Sequence, residues 1–442
     1  MKIPSIPGFD EQAFEKYFKN TGWLLFGKIL SLVVGFLIAR YLGPYAFGDL
    51  SFADAFAALF AAVGTLGLDS FIIREIIQQP HQRDEILGTS LGLRLGANIV
   101  LIPLTVLVYL LFHHFSGNQT SPSLAILVSL CASASLFKSF NIIDSYFQSQ
   151  VASKFVVQVQ NICLLLSAAL KIALVYTHAP VINFAWALVF DSAILALGLL
   201  LIYKKQELHF RTWTFNWARA KSLLSQSWPL ILTAVMISIY MKIDQVMLKS
   251  LGSRQVGIYS AAARISESWY FIPVAIVTSV FPAIIHARKT DIARYQKRLQ
   301  NLYDLLVGIS IPVAILISLS ANTLISILYG DAYEGAGILL SIHIWSGIFV
   351  FLGSASSQYL LAEGFTMVSF SRTAFGALIN VLLNLWLIPN YGAWGASVAT
   401  LIAYAASTFF ILFIPHTRKQ GLLMLKSLFL ISIIQKIFKI ES

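Results

Sequence analysis

Apolar runs long enough to cross a membrane follow one another along almost the whole chain, broken by short polar stretches. A helix needs about 20 mainly apolar residues to span a bilayer core of ~30 Å. Twelve stretches meet that length: 21–40, 47–73, 87–112, 123–147, 155–177, 180–203, 223–248, 255–285, 302–328, 336–361, 367–388 and 393–414. A thirteenth, 422–438, contains Lys426 and Lys436. Short and amphipathic, it is expected to lie in the interface rather than to span. The first nineteen residues are polar, and no short apolar region with a small-residue cleavage site follows them. The first span is therefore expected to stay rather than be removed with a signal peptide. The pattern predicts an all-α integral membrane protein of about 12 transmembrane helices. Its expected parts are a cytoplasmic N-terminal segment (1–19), a six-helix lobe (20–203), a cytoplasmic linker (204–222), a second six-helix lobe (223–415) and a basic, amphipathic cytoplasmic tail (416–442).

Composition sharpens this picture. Of 442 residues, 57% are hydrophobic and 12% charged, against about 25% charged in soluble chains, which excludes a soluble globular or a disordered protein. A formal net charge of +11 would by itself suggest nucleic acid. The positions of the 31 Lys and Arg argue otherwise. With loops numbered alternately from an inside N-terminus, nineteen cations fall on the inner side, Arg372 among them, and three (Arg40, Lys249, Arg254) on the outer side. That excess places both termini in the cytoplasm. It assigns the charge to topology and to the anionic lipids of the cytoplasmic leaflet, and removes nucleic acid as a partner. The longest connection, 204–222, is basic and aromatic (Phe210, Trp213, Phe215, Trp217) and is expected along the cytoplasmic surface. Cys131 and Cys163 lie in apolar runs and give neither metal spacing nor a disulfide framework.

The two halves repeat. Leu42-Gly43-Pro44-Tyr45-Ala46-Phe47-Gly48-Asp49-Leu50-Ser51 follows span 1, and Leu251-Gly252-Ser253-Arg254-Gln255-Val256-Gly257-Ile258-Tyr259-Ser260 follows span 7, at a constant offset of 209 residues. A weaker echo, Tyr391-Gly392-Ala393-Trp394-Gly395-Ala396-Ser397, follows span 11. Each reads as a tight outer turn, with one glycine for the bend and a second for close packing of the next helix. A six-plus-six parallel repeat is a common transporter architecture.

Arg40-Tyr41-Leu42-Gly43-Pro44-Tyr45-Ala46-Phe47-Gly48 resembles the signature of bacterial polysaccharide-export flippases. So do Gly67-Leu68 with Arg74-Glu75, Asp244 before Leu251-Gly252, Val256-Gly257-Ile258-Tyr259, Leu328-Tyr329-Gly330, Asn384 and Pro389-Asn390-Tyr391-Gly392. Over about residues 20–415 the chain is similar to the polysaccharide transporter branch (O-antigen and lipid-linked-oligosaccharide flippases) of the multidrug/oligosaccharidyl-lipid/polysaccharide exporter superfamily. The resemblance implies two pseudo-symmetric six-helix lobes around a central cavity in a bacterial inner membrane. It implies an alternating-access flippase moving undecaprenyl-pyrophosphate-linked oligosaccharide to the periplasmic leaflet, for O-antigen, capsule or exopolysaccharide biosynthesis. Polymerase and glycosyltransferases of the same pathway are the implied protein partners, beside membrane lipids. A lipid II flippase and a multidrug/cation antiporter of the superfamily are the alternatives. A membrane polysaccharide polymerase or ligase would need a sizeable outer loop with catalytic His and Arg, whereas the outer loops here are about ten residues or fewer, with His113-His114 as the outer pair.

Six cations fall within spans: Lys28, Arg94, Lys138, Lys171, Lys242 and Arg264. A charge at the bilayer centre costs about 2.5–3.5 kcal/mol or more, so these point to a water-filled interior. A cavity lined by Lys and Arg can replace the hydration of a pyrophosphate with charge-assisted hydrogen bonds. The resemblance implies substrate-binding cations on spans 1 and 8, hence Lys28 and Arg264, with Lys242 and Lys138 as further candidates. Span 2 departs from the pattern, offering Asp49 and Asp54 and no cation. Arg264 and Glu267, at i,i+3, can also neutralise one another, and Lys171 and Arg94, near helix ends, are expected to snorkel to the interface. Arg40, with Gly43, Pro44, Gly48, Gly252 and Gly257, reads as part of the gate or turn motif.

No Gly-x-x-x-x-Gly-Lys-Ser/Thr sequence occurs, so coupling is expected from an ion or a proton. Asp244 is an isolated acid on span 7; Asn380 and Asn384, at i,i+4, share a face of span 11; Thr400 on span 12 is a fourth oxygen source. One carboxylate, two amides and a hydroxyl form a candidate sodium site, which the resemblance also implies at these spans, with Asn384 where such a site has a second carboxylate. Proton coupling through Asp244 is the other reading, and Asn380 and Asn384 could instead serve helix packing. The topology is directly testable: alkaline phosphatase fused after His178 should be active and the same fusion after Lys205 inactive, with the reverse pattern for a fluorescent reporter that folds in the cytoplasm.

Overall fold

The computed structural model describes residues 11–115 and 122–432. Residues 1–10 of the N-terminal segment, the outer turn at 116–121 and the end of the 422–438 stretch lie outside the described residues. In a bilayer every backbone N–H and C=O must be satisfied within the protein, and chains this apolar meet the requirement as helices. Fifteen α-helices and no strand occur among the described residues: α1 (Glu11–Gly64), α2 (Asp69–Gln78), α3 (Arg83–Phe115), α4 (Pro122–Lys138), α5 (Ile142–Ser149), α6 (Lys154–Tyr176), α7 (Val181–Lys205), α8 (Trp217–Leu248), α9 (Ser253–Glu267), α10 (Phe271–Thr290), α11 (Ile292–Tyr329), α12 (Ala336–His343), α13 (Ser346–Ala362), α14 (Thr366–Phe409) and α15 (Arg418–Leu428). Large apolar side chains such as Leu316, Leu319 and Trp386 point outward, while small residues such as Ala262, Ala396 and Ala399 are buried between helices, the distribution of a multi-pass membrane protein.

Ten helical stretches among the described residues are long and apolar enough to cross a membrane, against about twelve expected. The difference lies at two glycines. The first stretch, Gly27–Gln78, has 52 residues and the last, Thr366–Phe413, has 48. Straight, each would run about 70–80 Å, more than twice the bilayer core. Neither is straight. Gly43 leaves helical geometry at φ 68°, ψ 171° within α1, and Gly392 does so at φ 59°, ψ −139° within α14. α1 and α14 are each two rods joined at a left-handed glycine, where the sequence places the turns between spans 1 and 2 and between spans 11 and 12, and a second break at 65–68 sets α2 off from α1.

The chain forms two compact units. One comprises the residues up to Leu42 together with Phe56–Val235; the other comprises Gly43–Ala55 together with Met236 onward. The first is centred on Leu68, Ile72, Ile86, Ile143, Phe147 and Tyr203. The basic, aromatic connection after α7 folds back onto the start of α3. Trp213 Nε1 donates to the Tyr203 hydroxyl at 3.1 Å, the Asn216 amide donates to Thr89 Oγ1 at 3.1 Å, and Arg219 reaches Glu85 at 2.8 Å and Glu75 at 3.3 Å.

The second unit carries the repeat in three dimensions. Gly252 takes φ 104°, ψ 161°, close to the geometry of its counterpart Gly43. A Cβ on Gly48 would lie 1.9 Å from the Ser253 carbonyl oxygen, and one on Gly257 would lie 1.9 Å from the Pro44 carbonyl oxygen. Pro44 and Ser253 are equivalent in the repeat, as are Gly48 and Gly257, so each segment presses its glycine against the start of the other. Asp49 closes the contact, accepting from Lys249 Nζ at 2.5 Å and Ser253 Oγ at 2.6 Å. The core of this unit includes Tyr303, Leu306, Phe351, Leu352 and Met424. Met424 belongs to α15, which buries Gln420, Gly421, Met424 and Ser427 and docks on α11; Ser427 Oγ donates to Asp304 Oδ1 at 2.6 Å. The amphipathic stripe of the tail thus faces protein. Gly257→Ala or Gly48→Ala forces two backbones apart and should lower stability by about 1–3 kcal/mol. Gly96→Ala, whose Cβ meets nothing within 4 Å, should leave it unchanged or slightly raised; thermal unfolding of the purified protein in detergent separates the two cases.

Candidate functional site

Four side chains singled out in sequence meet around one buried carboxylate. Asp244 lies near the end of α8, eight residues before Gly252, and is 2% exposed. Asn380 and Asn384 lie one turn apart in the first rod of α14, and Thr400 lies in its second rod, beyond Gly392; all three are buried. In a straight helix Asn384 and Thr400 would stand about 24 Å apart. The break at Gly392 lets both reach the same group. Asn384 Nδ2 donates to Asp244 Oδ1 and, at 3.1 Å, to Asn380 Oδ1, while Thr400 Oγ1 donates to Asp244 Oδ2 at 2.7 Å.

A fifth member has no assigned chemistry in the sequence reading. The Tyr259 hydroxyl on α9 donates to Asp244 Oδ2 at 2.7 Å and lies 3.2 Å from Thr400 Oγ1. Its signal in the sequence is positional: Tyr259 stands seven residues after the turn glycine that Asp244 precedes by eight. Asn384 and Thr400 are placed in the same way, eight residues before and eight after Gly392.

The donor set suits a hard cation: carboxylate, amide and hydroxyl oxygens on three helices, without sulfur or imidazole. Asn384 Oδ1 and Asn380 Nδ2 are buried and without hydrogen-bond partners. Oxygen and nitrogen of a side-chain amide exchange places by a half-turn. Such a turn at Asn384 brings an oxygen to face the Asp244 carboxylate, the arrangement a cation between them needs. This mixed oxygen set is a candidate cation site.

The cations expected in spans divide into two kinds. Arg94 and Lys171 do not snorkel. Arg94 is buried, with Nη2 at 2.8 Å from Asp69 and Nε donating to the Thr65 carbonyl at 3.2 Å; Lys171 pairs with Asp191. Their acids sit on neighbouring helices, out of reach of an argument from spacing along one helix. Arg372 departs from its expected place in a cytoplasmic loop: it is buried in α14, and its Nη2 donates to the Gly353 carbonyl at 3.0 Å and Ser357 Oγ at 2.6 Å.

The second kind comprises Lys28, Lys138, Lys242 and Arg264. Lys28, Lys138 and Arg264 are exposed and Lys242 is half-buried. Lys28, Lys138 and Lys242 belong to none of the spanning-segment ion pairs found among the described residues. Lys138 borders a cavity of about 260 Å³ in the first unit, whose lining mixes alanines with Thr65, Asp69, Arg94, Asn98 and Asn141. Arg264 lies over the Phe47 ring at 5.4 Å, and Glu267 is within electrostatic reach of both Lys242 and Arg264. Arg40 is exposed three residues before Gly43, beside Tyr41, whose hydroxyl donates to the Ala179 carbonyl at 2.9 Å.

Comparison with known proteins bears on the family and the fold. A family model described as polysaccharide biosynthesis protein matches residues 37–337. The chain is 23% identical over 253 residues to the probable flippase AglR of Haloferax volcanii, covering 54% of this chain and 50% of that one. It is 23% identical over 400 residues to the capsular polysaccharide biosynthesis protein CapF of Staphylococcus aureus, covering 87% of this chain and 96% of that one. The chain spans half or less of the length of several curated relatives it matches, AglR among them. In fold it is similar to the lipid II flippase MurJ in an inward closed conformation, with a TM-score of 0.72 and 16% identity, covering 96% of this chain and 93% of that one. These matches agree with the family resemblance carried by the turn motifs.

Proposed function

The chain belongs to the polysaccharide biosynthesis protein family, and we propose that it is a secondary-active flippase for a lipid-linked glycan. The observation that carries the reading is the set of span cations held in no ion pair among the described residues: Lys28, Lys138 and Lys242 stand outside the pairs that satisfy Arg94 and Lys171, Lys242 having only the longer-range field of Glu267. An exposed charge on a spanning helix either faces lipid, at a cost of about 2.5–3.5 kcal/mol or more, or faces water on a transport path. Three lysines and the exposed Arg264 suit an anionic headgroup on such a path. The substrate on this reading is undecaprenyl-pyrophosphate-linked oligosaccharide, carried from the cytoplasmic to the periplasmic leaflet of a bacterial inner membrane by alternating access, with both termini cytoplasmic. Lys28 and Arg264, and after them Lys242 and Lys138, are the side chains able to give charge-assisted hydrogen bonds to the pyrophosphate. Lipid II carries the same pyrophosphate and is the competing substrate; a cationic drug suits these side chains poorly.

Energy enters at Asp244. Sodium is the reading that the oxygen donors of Asp244, Asn380, Asn384 and Thr400 favour, with a proton on Asp244 as the alternative. In cells lacking the native protein, Lys28→Ala and Arg264→Ala should each cut surface glycan at least tenfold at wild-type protein levels. Wild-type export in both variants would remove the assignment. Asp244→Asn should leave transport in reconstituted vesicles indifferent to an imposed sodium gradient. Vesicles offered either lipid-linked oligosaccharide or lipid II distinguish the two substrates.

A further inference from the structure

The hydrogen-bond accounts of the Asp244 cluster treat its two hydroxyls differently. Each hydroxyl has one proton to give. Thr400 has two acceptors for it, Asp244 Oδ2 at 2.7 Å and the Ala396 carbonyl at 2.9 Å, one turn back along its own helix. It can therefore withdraw its proton to the backbone and present a lone pair to a cation. Tyr259 can turn its proton only from Asp244 to Thr400 and has no backbone acceptor among the described residues. Among the described residues its hydroxyl meets Asp244 Oδ2 and Thr400 Oγ1, both inside the cluster. Its ring is held edge-on against His343, with centroids 5.8 Å apart, and the Gly257–Pro44 contact fixes α9 two residues away. Asn384 is the third donor and can exchange its amide nitrogen for its buried, unpartnered oxygen.

We propose that Tyr259 is a built-in surrogate for the cation: a fixed donor that satisfies the Asp244 carboxylate when the ion is absent and so sets how weakly the ion binds. The proposal rests on Asp244 being the coupling site. A buried carboxylate stripped of partners is costly. With Tyr259 bonded to Oδ2 the ion-free state is tolerable, and the arriving ion must compete with a donor that stays within the cluster. Without the hydroxyl, the ion-free carboxylate loses a charge-assisted bond while more of its oxygen is open to the ion. Both changes tighten ion binding. Weak binding serves a transporter that must release its ion once per cycle, which makes Tyr259 a positioning residue for turnover. Thr400 has the opposite sign, since its loss removes an oxygen ligand.

The test is sodium binding by the purified full-length protein, read by displacement of radioactive sodium and by the rise in melting temperature when sodium chloride replaces choline chloride. Tyr259→Phe should lower the half-saturating sodium concentration about tenfold and enlarge the sodium-induced rise, while melting lower than wild type without sodium. Thr400→Ala should raise the half-saturating concentration. Tyr259→Met also lacks the donor and supplies the same reading if the Phe variant does not accumulate. Unchanged or weaker sodium binding in the Tyr259 variants, with binding lost in Asp244→Asn, would overturn the role given to Tyr259. Wild-type sodium binding in Asp244→Asn would instead overturn the coupling site itself.

Discussion

A carboxylate buried within a spanning segment has to be answered by polar groups from elsewhere in the chain, and at Asp244 that demand organises much of the second unit. Its neighbours in sequence are Ile243 and Gln245, and no hydrogen bond from α8 to its carboxylate is found among the described residues. The partners come from α9 and from both rods of α14, and they arrive because the backbone reverses at Gly252 and again at Gly392. Each glycine adopts a positive φ that other residues take at a cost. A bend that would be a defect in a straight transmembrane helix is here the means of bringing Asn384 and Thr400 onto one group.

The remaining charges of the spanning segments follow a division of labour. Arg94, Lys171 and Lys249 have acids opposite them, and their charge is spent on holding helices together. Asp304 is answered by neutral donors, Ser427 Oγ and Gln300 Nε2, the first of them in the tail helix. Lys28, Lys138 and Lys242 are held to no acid among the described residues. The contrast separates structural from available cations more sharply than their number in the sequence could.

Periodicity in the sequence makes the helical class, the spanning stretches and the turn glycines legible, because each depends on residues close together in the chain. The four-residue constellation at Asp244 is legible for a related reason: each partner sits a fixed distance from a turn. Tyr259 obeys the same rule and could have been found by counting outward from Gly252. The burial of Arg372 and the pairs Arg94–Asp69 and Lys171–Asp191 are not legible in this way. They depend on which helices pack side by side, and neither hydrophobic period nor spacing within one helix carries that information. The count of spans differs for a simpler reason: a single left-handed residue ends a rod without ending the helical hydrogen bonding on either side, so α1 and α14 each read as one element.

The crossed contact between the two repeat segments has a symmetry of its own. Gly48 rests on Ser253 and Gly257 rests on Pro44, which makes the interaction isologous: residue i meets j' and residue j meets i'. A two-fold axis between identical half-length chains generates that relation automatically, with one glycine serving both sides. In such a homodimer a single substitution at that glycine would strike the interface twice. In a single chain the two sides are independent, so Pro44 can stand opposite Ser253, while the glycines on which the backbones close stay under the same steric rule. The contact has the form of a two-fold interface within a single chain.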